Sequence, residues 1–414
     1  MNNIELLFRE RLFKYGFAKP AHLVLTLCVL CALFGKTPAQ DFKQVHPGVE
    51  YAEVEHKIGS DPLKINLLRL DLKKVRLDVH HAFDRAIGLD TTSAIAAKKG
   101  AVAAINAGFF RLDRSEFAGD AADILMIDGD LLSEGDRGRV VLTLENKNRE
   151  TLATIAHSRT HLWLGSLDSR FRIRMSGVNR PPADRELVLF SPRFGPTTRV
   201  AKPGTDVVFA GCDRKRDKWQ NVANCGSFRI VENATDTAIP LDGFVISTGS
   251  EKFADRDLLF HELNVYKSQE NKKKRVFFRV EDALQKSAVF KQEHDIVAGV
   301  PLLIRNGKID ITWEQEKTSK AFVETRHPRT AVAKLKDGRF LMMTVDGRQP
   351  GVSVGMSLQE LAEYLLSLGA VDAMNLDGGG STTMVLDGKV VNKPSDKEGE
   401  RKVSDAIVVT LRKR

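Results

Sequence analysis

Three consecutive glycines, Gly378, Gly379 and Gly380, stand where a strand should end, and they limit what the surrounding chain can become. Ahead of them Met374 and Leu376 alternate with Asn375 and Asp377, so an extended backbone puts the two polar side chains on one face and the two apolar ones on the other. Behind them, Thr383 to Leu386 and Lys389 to Val391 flank Asp387-Gly388, a two-residue hairpin signal. Upstream, Ser357 with Glu360 spells a capping box, Leu358, Leu361, Ala362 and Leu365 follow at helical spacing, and Gly369 stops the helix. The order is therefore helix, strand, glycine loop, hairpin. Glycine lacks the Cβ that keeps a ligand away from the backbone, yet three in a row weaken a fold. The run reads as a place kept open for a ligand.

A similar wording occurs earlier. Gly100-Ala-Val-Ala-Ala-Ile-Asn106 and Gly369-Ala-Val-Asp-Ala-Met-Asn375 agree at five of seven positions. Each follows a helical stretch, Thr91 to Lys99 in the first case, and each precedes an Asp-Gly turn, Asp128-Gly129 or Asp387-Gly388. If the two are equivalent elements, Asn106 and Asn375 stand at the ends of neighbouring strands and present their amides to one site. A third turn of this kind, Asn306-Gly307, follows Pro301 to Ile304, but no fixed short period recurs, so this is not a repeat array. Tyr51 to His81 alternates apolar and charged residues and predicts sheet, as does Leu187 to Phe190. Residues 207–225 read as an exposed excursion, and 185–298 as either an inserted half or further sheet. The expected class is α+β, with mixed or antiparallel sheets and a few helices.

The N-terminus looks like an export signal. Arg9, Arg11, Lys14 and Lys19 precede a nearly apolar run from Leu23 to Phe34, and Thr37-Pro38-Ala39 offers small residues for cleavage near Ala39. Twelve residues are short for a membrane span, so residues 1–39 are expected to leave as a signal peptide or to stay as an N-terminal anchor. A secreted or periplasmic protein without a stable span follows. Beyond Ala39 there remain 58 Lys and Arg against 52 Asp and Glu, a net +6 spread over the whole length, which does not point to nucleic acid. Export also leaves only Cys212 and Cys225. In an oxidising compartment they can close a disulfide loop contributing roughly 3 kcal/mol, and no further Cys or His pair completes a zinc site. Nothing in the sequence sets an oligomeric state.

Polar residues become dense from Glu324 onward. Glu324-Thr-Arg-His327-Pro-Arg329-Thr330 precedes a short apolar strand, Phe340 to Val345 leads into Asp346-Gly347-Arg348, and a loop with Ser353 follows. Two strands thus deliver Asp346 and Asp377 to loop mouths, with Arg329 and Arg348 nearby in sequence, a combination suited to carbohydrate and phosphate together. Asp377 is the first catalytic candidate and Asp346 the second, with Glu324 in reserve and His327 either an acid or a packed loop residue. Substrate contacts are expected from Asn106, Phe109, Arg329, Thr330, Arg348, Ser353, Asn375, Gly378, Gly379, Gly380, Ser381 and Thr382. A nucleotide P-loop would need Lys after the glycines, where Ser381 stands. An aspartic peptidase would need a hydroxyl residue between each Asp and Gly. Asp128 and Asp387 are turn formers. No cofactor is expected; calcium or magnesium at clustered Asp and Asn oxygens stays open, although no EF-hand spacing is present.

In chain order, Ile105-Asn-Ala-Gly-Phe-Phe110, His327-Pro-Arg-Thr-Ala-Val332, Val345-Asp-Gly-Arg348, Asn375-Leu-Asp-Gly-Gly-Gly-Ser-Thr-Thr-Met384 and Val391-Asn-Lys-Pro-Ser-Asp396 together resemble the phosphodiester glycosidase family. The likeness spans Ala101 to the C-terminus, with Ala107 in place of a family glycine and Val300 thinning a glycine-rich approach to Pro301. It implies a phosphodiester glycosidase-like domain over 101–414, with 40–100 as its N-terminal strands. It further implies an exported hydrolase that cleaves a sugar 1-phosphodiester, or a related glycosidic bond in a surface polysaccharide. Cleavage at the anomeric carbon develops oxocarbenium character that a carboxylate can stabilise, while arginines receive a phosphate that is already a good leaving group. The competing expectation is a noncatalytic carbohydrate-binding or exopolysaccharide assembly protein.

Overall fold

Alternation along the strands Asp61–Leu70, Phe340–Val345, Arg329–Leu335 and Ala370–Asn375 decides the architecture, because these four are neighbours in one sheet and both faces of that sheet are apolar. The computed structural model describes residues 40–166, 171–217, 220–267, 274–282, 284 and 294–412, and the expected export segment lies outside them. Phe42–Arg414 form one unit. The eight-stranded sheet is completed by Lys43–His46 and Val49–Ile58 at one edge and by Leu302–Arg305 and Lys308–Ile309 at the other.

One cross-strand row, Leu68, Met342, Val332 and Met374, faces a five-stranded sheet built from Lys389–Val390, Met384–Leu386, Ala103–Asn106, Asp405–Leu411 and Val75–His81. That second sheet answers with Leu77, Val79, Ile105, Met384, Ile407 and Val409, and the two inner faces share one core. The adjacent row, Leu67, Met343 and Ala331, points the other way, onto the helix Leu358–Ser367 with its buried Leu358, Leu361, Ala362 and Leu365. Likewise Ala104, Val385, Ala406 and Val408 cover the helix Thr92–Lys98 through Ile95 and Ala96. Helix, sheet, sheet, helix is the resulting layering, and each layer follows from a period-two strand pattern or a period-3.6 helix pattern.

Three more sheets occur among the described residues, the smallest being the pair Asp90–Thr91 and Lys402–Val403. Thr151–His157, Val140–Asn146, His294–Ala298, Leu125–Ile127 and Asp130–Ser133 form another. The third runs Arg172–Met175, Thr160–Ser166, Lys274–Asp282, Gln220–Ala234, Gly204–Asp217, Phe244–Thr248, Leu187–Phe190 and Gly177–Val178, and packs its own apolar cluster with Leu259 and Leu263 of the helix Ala254–Lys267. The described residues of 185–298 are thus mostly further sheet, with the helix Ala254–Lys267 among them. The expected excursion at 207–225 is instead the heart of a long hairpin, because Val207, Val208 and Phe209 are buried in its cores. Cys212 and Cys225 stand directly opposite each other in that hairpin and form the disulfide.

Antiparallel sheets with a few helices are present as expected, but the described residues are more β-rich than the α+β class implies, with one short parallel pair, Gly177–Val178 with Leu187–Phe190. Helical periodicity occurs in the sequence only in short runs, so each outer layer is a single short helix laid on a sheet. Local signals held. Ser357 and Glu360 make the reciprocal capping box. Asp128-Gly129, Asn306-Gly307 and Asp387-Gly388 all take positive φ at both residues, the geometry that a tight two-residue hairpin needs.

Candidate active site

Leu376 N–H donates to Thr330 O, and Asp377 N–H donates to Ala107 O at 3.0 Å, so the chain leaving the strand Ala370–Asn375 is clasped between the two central sheets. It then turns through Gly378, Gly379 and Gly380. Gly379 takes φ +60, and its N–H donates to Pro328 O at 2.9 Å. A Cβ on Gly380 would meet Arg401 Nη2 and Asp396 Oδ1 at 2.1 Å, so the glycine is required by the ion pair lying against it. Backbone and ion pair cannot both keep their places if a side chain intrudes.

This turn borders a cavity of about 200 Å³ lined by Phe322, His327, Arg329, Arg348, Asp377, Gly378, Gly379, Gly380 and Arg401. Asp377 is partly exposed there, and Gly378 N–H donates to its Oδ1 at 3.0 Å. Its carboxyl is pushed up to about 7, chiefly by burial; the Ser381 hydroxyl, the Arg401 charge and the Gly378 N–H oppose the shift, and the Asp405 charge adds to it. Arg329 is 1% exposed. Its guanidinium donates to Met356 O, Phe322 O and Thr325 O at 2.8 to 2.9 Å and lies 5.0 Å from the Phe322 ring centre. Burial first, then the Arg348 charge, lower its pKa to about 10, so it remains a cation at neutral pH.

Arg348 is exposed, reaches across Gly379, and comes within 3.4 Å of His327 Nδ1. Among the described residues, neither Arg329 nor Arg348 has a carboxylate within ion-pair distance, whereas Arg401 is held by Asp396 at 2.7 Å. Burial and then the two neighbouring arginines depress His327, which leaves its ring neutral at pH 7. Two unpaired guanidiniums, a neutral imidazole, a carboxyl and a bare backbone turn therefore share one hollow, with Phe322 as its apolar wall. Such a set can hold a phosphate by charge-assisted hydrogen bonds and leave one carboxylate free to act on an adjacent carbon or water.

The remaining predicted residues are placed differently. Asp346 is buried, and its carboxylate accepts from Asn392 Nδ2 and Lys393 N–H at 3.1 Å; it clamps the 392–393 turn and is absent from the cavity lining. Burial raises its pKa, opposed first by Asn392. Ser353 closes the same bend, donating to Asp346 O at 2.6 Å and accepting Lys64 N–H. Glu324 is corrected most plainly: it ends the helix Lys320–Glu324 in solvent, 3.5 Å from Lys320.

Asn106 and Asn375 are not strand neighbours, since they belong to different sheets. Asn106 is fully buried and stitches three segments together, donating to Asp377 O at 2.7 Å while its Oδ1 accepts from the Thr330 hydroxyl and Thr383 N–H. Both it and Thr330 are thereby spent inside the protein, one shell behind the cavity. Asn375 lies in the row of Ala331 and Met343 that faces the helix, and its amide donates to Val300 O and Leu376 O. Phe109 touches the wall indirectly, its ring 6.1 Å from that of Phe322. Ser381 and Thr382 are buried; the Ser381 hydroxyl serves the Asp377 carboxyl, and the Thr382 hydroxyl finds no hydrogen-bond partner among the described residues.

Phe322, Arg401 and Asp405 were missed. Arg401 and Asp405 come from a charged stretch with no motif, and the available signal was a single carboxylate, Asp405, opening an otherwise apolar strand. Among the described residues no three His, Cys, Asp or Glu side chains converge as metal ligands.

Residues 220–410 match the family model for phosphodiester glycosidase. The chain resembles the phosphodiester glycosidases. It is 41% identical over 110 residues to the bovine N-acetylglucosamine-1-phosphodiester alpha-N-acetylglucosaminidase, covering 24% of this chain and 20% of that protein. The human protein of the same name is 40% identical over 111 residues, 24% of this chain and 21% of its own length. The chain thus spans about a fifth of the curated relatives it matches. Among solved structures, a protein from Synechocystis superposes with a TM-score of 0.69 at 21% identity, over 91% of this chain and 64% of that one. A Burkholderia pseudomallei K96243 protein gives 0.62 at 21%, over 84% and 74%. At that identity both show the fold alone. The matched stretch contains every residue lining the cavity, and the phosphodiester glycosidase likeness therefore falls on the site itself.

Proposed function

We propose that this chain is an exported hydrolase that cleaves a sugar 1-phosphodiester, or a related glycosidic bond in a surface polysaccharide. The observation that carries the reading is a carboxyl sharing one cavity with two guanidiniums that have no carboxylate partner among the described residues, Asp377 with Arg329 and Arg348. Arg329 and Arg348 hold the phosphate, each charge-assisted bond contributing about 1.5–3 kcal/mol. The anomeric C1–O bond breaks, the electron pair leaves on the phosphate oxygen, and the arginines take up the added charge. A phosphate monoester is a stable anion and leaves without an acid.

Asp377 is the only carboxylate among the cavity's lining residues. In its ionised form it accepts a proton from the water that adds to C1, and a carboxyl near 7 is matched to that task at neutral pH. A base acting from one side implies inversion at C1. Ser381 and Thr382 offer hydroxyls beside the turn, and His327 is a neutral acceptor next to Arg348. The basic, apolar N-terminal segment and the Cys212–Cys225 disulfide support an oxidising, extracytoplasmic location. No helix among the described residues is long and apolar enough to cross a membrane. Residues 40–100 serve as the N-terminal strands of a catalytic domain that continues to 414.

A screen of the purified chain against glycosyl 1-phosphodiesters tests this, with released sugar and phosphate read separately and the released anomer read by proton NMR. Release of both at once, with inversion, supports the proposal. Glycan binding without turnover makes the chain a carbohydrate-binding or exopolysaccharide assembly protein instead, and activity lost on chelator treatment adds a divalent cation to the account.

A further inference from the structure

Phe322 stands half-buried on the short helix Lys320–Glu324, whose next residue, Val323, packs into the core. A helix of this length is marginal by itself, so the ring is held by what surrounds it. Arg329 Nη2 donates to Phe322 O at 2.9 Å and to Thr325 O at 2.8 Å, while its Nε donates to Met356 O at 2.9 Å. The same guanidinium lies 5.0 Å from the ring centre, and the Phe109 ring meets it edge-on at 6.1 Å. The Ser319 hydroxyl accepts Phe322 N–H at 3.2 Å and caps the helix. With these sides occupied, the rest of the ring lines the cavity. Water gains nothing from an aromatic surface kept open beside two cations, whereas a ligand with an apolar face does.

The hydrogen-bond donors separate the two arginines. Arg329 spends its Nε and Nη2 protons on backbone carbonyls and keeps only Nη1 for a ligand. Arg348 is exposed, lies against Gly379, and has His327 Nδ1 at 3.4 Å as its one hydrogen-bond partner among the described residues. The anion therefore belongs beside Arg348 and the glycine turn, and the Phe322 side is left for the apolar part of the substrate. Resting on the reading of this cavity as a sugar-phosphate site, we propose that Phe322 is the platform for the sugar and the residue that makes the site prefer a glycosyl phosphate to phosphate alone. The C–H face of a pyranose lies on the ring, and burying the two apolar surfaces together supplies affinity that the arginines cannot give. Arg329 then has two duties: it staples the helix that carries the ring, and it lends Nη1 to the phosphate.

The test reads binding rather than turnover. Inorganic phosphate and the 1-phosphates of glucose, galactose, mannose and N-acetylglucosamine are titrated calorimetrically into wild type, Phe322→Leu and Phe322→Tyr; leucine keeps an apolar side chain and tyrosine keeps the ring. The best sugar phosphate should bind wild type more tightly than phosphate does, lose about 10-fold in the leucine variant and return to within about three-fold in the tyrosine variant. Phosphate itself should bind all three chains within about two-fold, because its arginines are untouched. Should the leucine variant fail to fold, saturation-transfer NMR of wild type irradiated at its aromatic protons must mark the C–H protons of one sugar face above the others, and uniform transfer overturns the inference. Equal losses for phosphate and sugar phosphate would make the ring a mere prop for the arginines and overturn it too, as would an unmoved affinity or a wild type that prefers no sugar phosphate. Ring-dependent binding in a chain that cleaves no glycosyl phosphodiester leaves the inference standing and removes the hydrolase reading, whereas turnover with binding indifferent to the ring does the reverse.

Discussion

Asp377→Asn should make the protein more stable and inactive at once, with the stability gain growing as pH rises to neutrality and full above it. The wild-type carboxyl titrates at about 7 when folded, against 3.8 ordinarily, and at 1.36 kcal/mol per pH unit the ionised form opposes folding by about 4 kcal/mol. Asp377 is partly exposed at the cavity wall, so solvent screening reduces this to about 2 kcal/mol. The sign follows from the raised value. Between pH 4 and 7 the folded state holds a proton that the unfolded chain has released, so wild-type stability falls as pH rises through that window and the cost is complete above it. The amide variant carries no such cost. Thermal unfolding compared at pH 5 and pH 8 should show a gain of about 3 °C at pH 8 that shrinks at pH 5, while turnover of the best glycosyl phosphodiester drops about 10³-fold or more. A variant no more stable than wild type at pH 8 would refute the desolvated carboxyl. Turnover within a few-fold of wild type would refute its catalytic role.

Arg348→Ala should weaken competitive inhibition by inorganic phosphate about 10–100-fold, the loss of one charge-assisted contact, with little change in stability because the side chain is exposed. Glu324→Gln, in solvent beyond the cavity, should leave kcat/KM within two-fold by the same assay. Gly380→Ala drives a Cβ into Arg401 and Asp396 and should cost about 1–3 kcal/mol in urea unfolding together with most of the activity. Replacing Cys212 and Cys225 by Ala should lower stability by about 2–4 kcal/mol while leaving KM unchanged, since the hairpin they join lines no part of the cavity.

Local chemistry was legible wherever it closes within a few residues. The Ser357–Glu360 cap, the three Asx-Gly turns and the Cys212–Cys225 pair each depend on neighbours close in sequence, and all three kinds formed. Asp377, Arg329 and Arg348 also converge as the motifs suggested. Asp346 shows the limit. Like Asp377 it follows a buried strand and precedes glycine, but the 392–393 turn arrives to claim its oxygens, and nothing within residues 340–350 announces that partner. Asn106 was read as a substrate ligand for the same reason: its three partners lie more than 200 residues away. Arg401 and Asp405 were invisible because their meaning comes from what they touch, Gly380 and Gly108, rather than from the residues beside them.

The strand Asp405–Leu411 is flanked by Val75–His81 on one side and Ala103–Asn106 on the other. The two earlier strands therefore acquire their shared neighbour only from a segment far along the chain. A chain cut ahead of Asp405 would leave the seat of Asp377 unfinished, and truncation there should remove whatever turnover the uncut chain shows.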